Sequence, residues 1–348
     1  MKFVIMFGAL GLGILFGFFP NLNKPKPLWW KLTVAIAVAL ALILSIYPRI
    51  AGTINDVKFV ENGYYKEVDV ELIVKKGSHK YIPEQNLWTI ELDGKGKNIN
   101  YSTFIVKGEK YPEELNSDKK LILKLTYNKD LQMPEYLATD YVDPLLIYPF
   151  VPSLDERIKI LNLHVPQAWV AVVAYLISMI FAAKYLKTKN PFDDLNAASA
   201  ASLGTLFAIL ATVTGMFWAK YNWGTYWNWD PRQSSIFVLI MIYFAYFALR
   251  SAIDNDEKRA RLSSVYSIIA FITVPFLVFI LPRMAKGLHP GSADDVNAGP
   301  VVSQQTGSLD TTLIFGFGLS LFAFTALFFW IYNIVNRYYR LKYEIENV

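Results

Sequence analysis

Trp223-Gly-Thr-Tyr-Trp-Asn-Trp-Asp-Pro-Arg-Gln-Ser-Ser235 lies between two long apolar segments, Leu203 to Trp218 and Ile236 to Leu249. Asp230 reads as a helix N-cap, Pro231 as the first helical residue and Gln233 as the far half of a capping box. The second helix therefore begins here, and the aromatic rings stand just outside it. Three of the nine tryptophans of the chain fall in this short connection. A tryptophan in a loop needs something flat or apolar to lie against. An aromatic belt at a membrane interface would supply that. The ordered spacing of Trp223, Trp227 and Trp229, closing on Asp230 and Arg232, points instead to a built site.

Working outward, the chain reads as membrane-embedded. It is 54% hydrophobic and 16% aromatic, with a mean hydropathy of +0.29, well above an ordinary soluble protein. Seven segments approach the ~20 residues a spanning helix needs: roughly 3–19, 28–47, 164–186, 197–219, 233–250, 262–282 and 311–335. The first has only Lys2 before its apolar run and no small-x-small site after it, so we expect a retained helix rather than a signal peptide. Its Gly8, Gly11, Gly13 and Gly17 read as helix packing. The net charge of +5 is spread over the ends of apolar segments, which excludes a nucleic-acid patch. Lys24, Lys26, Lys31, Lys184, Lys187, Lys189, Arg250, Lys258, Arg259, Arg261, Arg337, Arg340 and Lys342 mark one side of the membrane; only Lys220, Arg232, Arg283 and Lys286 fall in the short connections of the other. By the positive-inside rule the first side is cytoplasmic. The C-terminus is then inside, and the tryptophan stretch outside. With no cysteine, the sequence offers no disulfide, no thiolate metal site and no thioether to haem.

The expected organisation is two N-terminal helices (1–49), an extracytoplasmic β-rich domain (50–153) and a five-helix membrane core (154–348) carrying the outer loop 221–235. Val68–Val74, Trp88–Leu92 and Leu121–Tyr127 alternate apolar and polar residues, with turns such as Gly94-Lys-Gly-Lys97 between them. We read this as a small antiparallel β domain, a sandwich or barrel, inserted into an all-α polytopic bundle of about seven spans. Its His79 stands among charged residues and carries no ligand reading.

Two other histidines flank spans. His164 opens Leu163-His-Val-Pro-Gln-Ala-Trp169, and His289 closes Leu281-Pro-Arg-Met-Ala-Lys-Gly-Leu-His289 before a turn-rich polar stretch expected to be mobile. Ionisable groups at the rim of a span are costly and usually have a reason, although either alone would pass for an interfacial or loop histidine. Ser199, Ser202, Gly204, Thr205, Thr212, Thr214 and Gly215 read as small and hydroxylated helix-packing positions, and Pro275 as a kink near the end of its span.

The tryptophan stretch resembles the WWD signature of the CcmC and CcsA families of haem-handling membrane proteins in cytochrome c assembly. It looks closer to CcmC, although the Asp-Pro pair leans towards CcsA. His-Val-Pro-x-Ala-Trp and Gly-Leu-His also resemble CcmC, in which both histidines are iron ligands. The resemblance covers the second span and residues 155 to the C-terminus. It implies haem b held by His164 and His289 (the metal ligands), over Trp223, Trp227 and Trp229, with Arg232 and Arg283 for the propionates. Asp230 is assigned mainly to capping. The expected function is to bind haem at the outer face of the bacterial cytoplasmic (inner) membrane and deliver it to a haem chaperone or apocytochrome c, beside other cytochrome c maturation membrane subunits. A carrier fits better than a catalyst. The alternative is a CcsA-type synthetase, or haem lyase, component that attaches haem to apocytochrome c. That family usually places histidines within its spans, and the apolar segments here have none. A bis-histidine electron-transfer cytochrome would also need histidines at depth. The β domain is an insertion relative to CcmC, expected to dock the recipient.

Overall fold

The computed structural model describes residues 2–93, 100–152, 154–289, 291–293 and 311–346. The turn-rich stretch 294–310 and the turn at 94–97 lie outside them. The chain divides into two compact units, one of Met1–Ile46 with Lys159–Val348, the other Tyr47–Ile158.

The first unit is helical, built from α1 (Lys2–Phe18) and α2 (Leu28–Ile46) together with the elements that follow the β unit. The second unit holds β1 (Arg49–Ala51), the single-turn α3 (Lys58–Glu61), β2 (Val68–Leu72), β3 (Lys80–Ile82), β4 (Leu87–Glu91), β5 (Thr103–Lys107), β6 (Leu121–Asn128), β7 (Met133–Val142) and β8 (Ile147–Pro149). Then come α4 (His164–Thr188), α5 (Pro191–Trp223), α6 (Pro231–Ser251), α7 (Asp256–Pro275), a π-helical turn Phe276–Ile280, α8 (Leu281–Met284) and α9 (Thr311–Glu346).

Among the described residues, six helical stretches are long and apolar enough to cross a membrane: α2, residues 155–188, α5, α6, residues 256–284 and α9. The seventh expected span, α1, has 17 residues; at ~1.5 Å per residue it is shorter than the ~30 Å hydrocarbon layer. It packs along α9. A Cβ on Gly17 would stand 2.2 Å from the Phe329 ring and one on Gly13 2.9 Å from Thr325, whereas Gly8 and Gly11 face open space. Only half of the glycine stripe is therefore a packing face.

Local signals place the helix ends. Asn190 caps α5 by accepting from the Phe192 N–H, with Pro191 next and Asp193 and Asp194 in the first turn. Gly224, at φ 80°, ends α5 in the left-handed region that a Cβ disfavours. Asn255 caps α7. Pro275 is followed at once by the π-helical turn, the local adjustment a proline in a span requires. The bundle core is α4 lying along α5, with α7 and α9 against α4. Gly204 lets α4 and α5 approach: a Cβ there would meet the Tyr175 ring at 2.9 Å. Tyr175 in turn stacks on Tyr243 of α6, ring centroids 3.6 Å apart.

In the second unit the six-stranded sheet runs β2-β6-β7-β5-β4-β3, and β1 pairs with β8 separately. The expected alternation appears where β2 meets β6: Val68, Val70 and Leu72 face Leu125, Leu123 and Leu121, and all six are buried. The arrangement is not purely antiparallel, because β5–β7 and β1–β8 are parallel pairs. His79 lies beside the rings of Tyr111 and Trp88. On β2, burial first and then the neighbouring Asp140 push the Asp69 carboxyl up to about 6 from its ordinary 3.8, against the pull of Lys124. The folded state thus binds this proton more tightly than the unfolded chain. Its stabilising contribution is full below 3.8 and is lost as pH rises through about 6. The thermal midpoint of the β unit, followed in the intact protein, is expected to fall across that window. Asp69→Asn should flatten the fall; an unchanged profile would mean that Asp69 does not cause it.

Candidate functional site

The site forms at the end of the bundle where α4 begins, α5 ends, α6 begins and the 285–289 segment returns from α8. Asp230 is its hub. As the N-cap of α6 its Oδ1 accepts the Arg232 N–H at 2.9 Å, as the sequence suggests. The same carboxylate accepts from across the chain. Its Oδ2 takes the Leu288 N–H at 2.7 Å and the His289 N–H at 3.3 Å, and its Oδ1 takes His289 Nδ1–H at 3.1 Å. Burial alone would raise the Asp230 carboxyl, but the bond from His289 and the backbone N–H groups outweigh it and hold it at about 2. An ionised carboxylate accepting several N–H bonds is expected to sit that low. Burial also pushes His289 down from its ordinary value, with Asp230 pulling the other way. His289 is therefore neutral at pH 7, with its proton on Nδ1 and a lone pair on Nε2.

Gly287 makes this docking possible, since a Cβ there would stand 2.7 Å from Asp230 Oδ2 and 2.9 Å from Pro231 Cδ. Ser292 fastens the segment further by donating its hydroxyl to the His289 carbonyl at 2.7 Å. Gln233 departs from the capping-box expectation. It accepts the Asn228 N–H at 2.8 Å and donates to the Tyr226 carbonyl at 3.2 Å, bracing the tryptophan loop rather than the Asp230 N–H.

His164, in the first turn of α4, faces α5. Its Nδ1 lies 3.1 Å from Thr214 Oγ1, and the ring rests where a Cβ on Gly215 would come within 2.8 Å of Cε1. The Thr214 hydroxyl donates to the Leu210 carbonyl at 2.8 Å and lies 3.1 Å from that of Ala211, so towards the histidine it can only accept. The ring proton therefore belongs on Nδ1, and Nε2 keeps its lone pair. Arg232 lies within electrostatic reach of both His164 and His289.

The aromatic residues divide. The Trp223 ring lies 4.9 Å from that of His289, and Trp218, near the end of α5, lies 5.3 Å from it and 5.0 Å from Trp223. Trp227 meets Trp229 and Phe237 instead; Trp229 is 71% exposed. Arg232 is half-buried within electrostatic reach of Asp230 and Arg283, and Arg283 itself is exposed. Thr214, Gly215, Trp218 and Gly287 belong to the site, although the sequence pointed to Thr214 and Gly215 only as packing positions and did not single out Trp218 or Gly287. The signal was there for the first three: positions 214, 215 and 218 share one face of α5.

The described residues contain no group of three or more His, Asp or Glu side chains able to hold a bare metal ion. Two neutral imidazoles, those of His164 and His289, are instead ligands of the kind that would hold a haem iron. The Trp218 indole N–H, buried and without an acceptor, is a donor that a bound polar group would satisfy. The residues present thus fit haem.

Residues 138–347 match the family model CcmC, described as heme exporter protein C. Over 171 residues the chain is 31% identical to heme exporter protein C of Bradyrhizobium diazoefficiens, covering 49% of this chain and 62% of that protein. A putative cytochrome c biosynthesis ccmC-like mitochondrial protein of Marchantia polymorpha is 36% identical over 124 residues, 36% of this chain and 52% of that one. Heme exporter protein C of Escherichia coli is 31% identical over 134 residues, 38% and 54% of the respective chains. The chain spans about three fifths of the length of the first curated relatives it matches.

Proposed function

The chain belongs to the CcmC family, heme exporter protein C, and from that premise we propose that it holds haem b between His164 and His289. It does so at the outer face of the bacterial inner membrane and passes the haem to a haem chaperone or apocytochrome c. The observation that carries this reading is the pairing of two histidines 125 positions apart in sequence (289 less 164) at one end of the bundle, each with Nδ1 committed and Nε2 left to bind.

Trp223 and Trp218 provide flat walls beside His289. Arg232 and Arg283 offer guanidinium forks that match propionate carboxylates. Asp230 and Thr214 fix the tautomers that an iron ligand needs. The haem supplies the iron and the planar macrocycle. The chain supplies ligands, orientation and a rim position from which its cargo can leave. The cytoplasmic side is then the end bearing Lys184, Asp193, Asp194 and Arg250, in line with the excess of Lys and Arg there.

The test is an absorption spectrum of the purified protein, made with ample haem and read oxidised and reduced, beside His164→Ala and His289→Ala. We expect low-spin bis-histidine bands in the natural protein and their loss in both variants. A natural protein without such bands, or variants that keep them unchanged, would remove the two histidines from the iron.

A further inference from the structure

We propose that the two histidines hold haem unequally, Asp230 making His289 the retained ligand and Thr214 leaving His164 the exchangeable one. The proposal rests on the haem reading above and adds which ligand yields.

The asymmetry lies in what each Nδ1–H meets. His289 donates to a carboxylate whose side chain is fully buried and which the Arg232, Leu288 and His289 N–H groups hold in place. Hydrogen bonds to an ionised acceptor are roughly twice as strong as neutral ones. A carboxylate on the far nitrogen also raises the donor strength of the ligating nitrogen. His164 donates to a neutral hydroxyl whose own proton is already given to the Leu210 carbonyl. That acceptor fixes the tautomer but adds no negative charge, so Nε2 of His164 is the weaker donor.

The backbone reinforces the difference. The His289 main chain is held at both polar groups, its N–H by Asp230 and its carbonyl by the Ser292 hydroxyl. The one side-chain hydrogen bond that positions the His164 ring, among the described residues, is the one to Thr214. His164 would therefore yield to a competing donor before His289 does, so exchange would be favoured on the α4–α5 side of the site. Thr214 and Asp230 are positioning residues here, acting on iron only through the histidines.

The experiment compares His164→Gly with His289→Gly, each purified with ample haem, with and without added imidazole. His164→Gly is expected to keep its haem and to recover low-spin bands with imidazole. His289→Gly is expected to retain at least about 10-fold less, since it removes the ligand itself and outer-shell changes alone cost about 10–100-fold at metal sites. Two shape-conserving variants separate donor strength from folding. Asp230→Asn should raise the midpoint potential, since a less basic ligand stabilises oxidised iron less; Thr214→Val should move it by a smaller amount. Equal haem loss in both glycine variants, better retention in His289→Gly, or equal shifts of potential would each overturn the proposal. A natural protein that shows no bis-histidine bands would overturn the haem reading itself, a result distinct from any of these.

Discussion

Arg250→Met is expected to destabilise the helical unit by about 3–5 kcal/mol, the cost of leaving a buried charge without its partner. Arg250 and Asp194 form a two-pronged pair, Nη1–Oδ1 2.6 Å and Nη2–Oδ2 2.9 Å. Their side chains are only 15% and 8% exposed. The pair ties the last turn of α6 to the first turn of α5, and the Tyr246 ring lies over the guanidinium at 5.8 Å. Removing the arginine strands the carboxylate; removing both charges does not. The double variant Asp194→Leu/Arg250→Met should therefore recover most of the loss, because apolar replacement of a buried pair is often neutral. Thermal unfolding in detergent of the two single variants and the double one reads this directly. A double variant as unstable as the worse single would mean that the pair is not the unit that matters. The histidines occupy the opposite ends of these helices, so low-spin haem bands, where the folded variants bind haem, should be unchanged.

The second large effect is expected at Gly287. An added Cβ would press on Asp230 Oδ2 and on the Pro231 ring, and at 3.1 Å on Ser292 Oγ. Neither the capping carboxylate nor the proline can retreat without opening the start of α6. Gly287→Ala should therefore cost about 1–3 kcal/mol, as overpacking generally does. It should also break the Leu288 N–H bond to Asp230 and displace His289. Bound haem after purification should fall by about 10-fold or more. Gly8→Ala is the natural control, since nothing lies within 4 Å of that position and alanine is the better helix former. If Gly287→Ala binds haem as the natural protein does, the 285–289 segment does not need its close seat on Asp230.

The long spans were legible because they are statements about chain composition over ~20 residues. The α6 start was legible because Asp230-Pro231 is a local signal, confirmed in the side chain's bond to the Arg232 N–H. The β-unit strands found from sequence, β2, β4 and β6, are those with clear alternation. The strands β1, β3 and β8 have three residues each, too short to carry a period. In β7 the pairing with β6 shifts register at two places, between Ile122 and Leu123 and between Lys124 and Leu125, which scrambles the alternation an observer would count.

At the site, the sequence by itself determined the chemistry available: two rim histidines, a tryptophan-rich connection, a capping aspartate, no thiols. Those follow from residue identity and spacing along one element. Only the tertiary structure decided which groups meet. Thr214 and Gly215, read as packing positions, turn out to hold the His164 ring. Trp218 reaches His289 while Trp227 packs on Phe237 and Trp229. Asp230 reaches residues 58 and 59 positions away as well as its own helix. The physical reason is that a hydrogen bond or ring contact between distant segments depends on helix rotation, crossing and close approach. Those are fixed by packing at positions such as Gly204 and Gly287 and leave no periodic mark in the sequence.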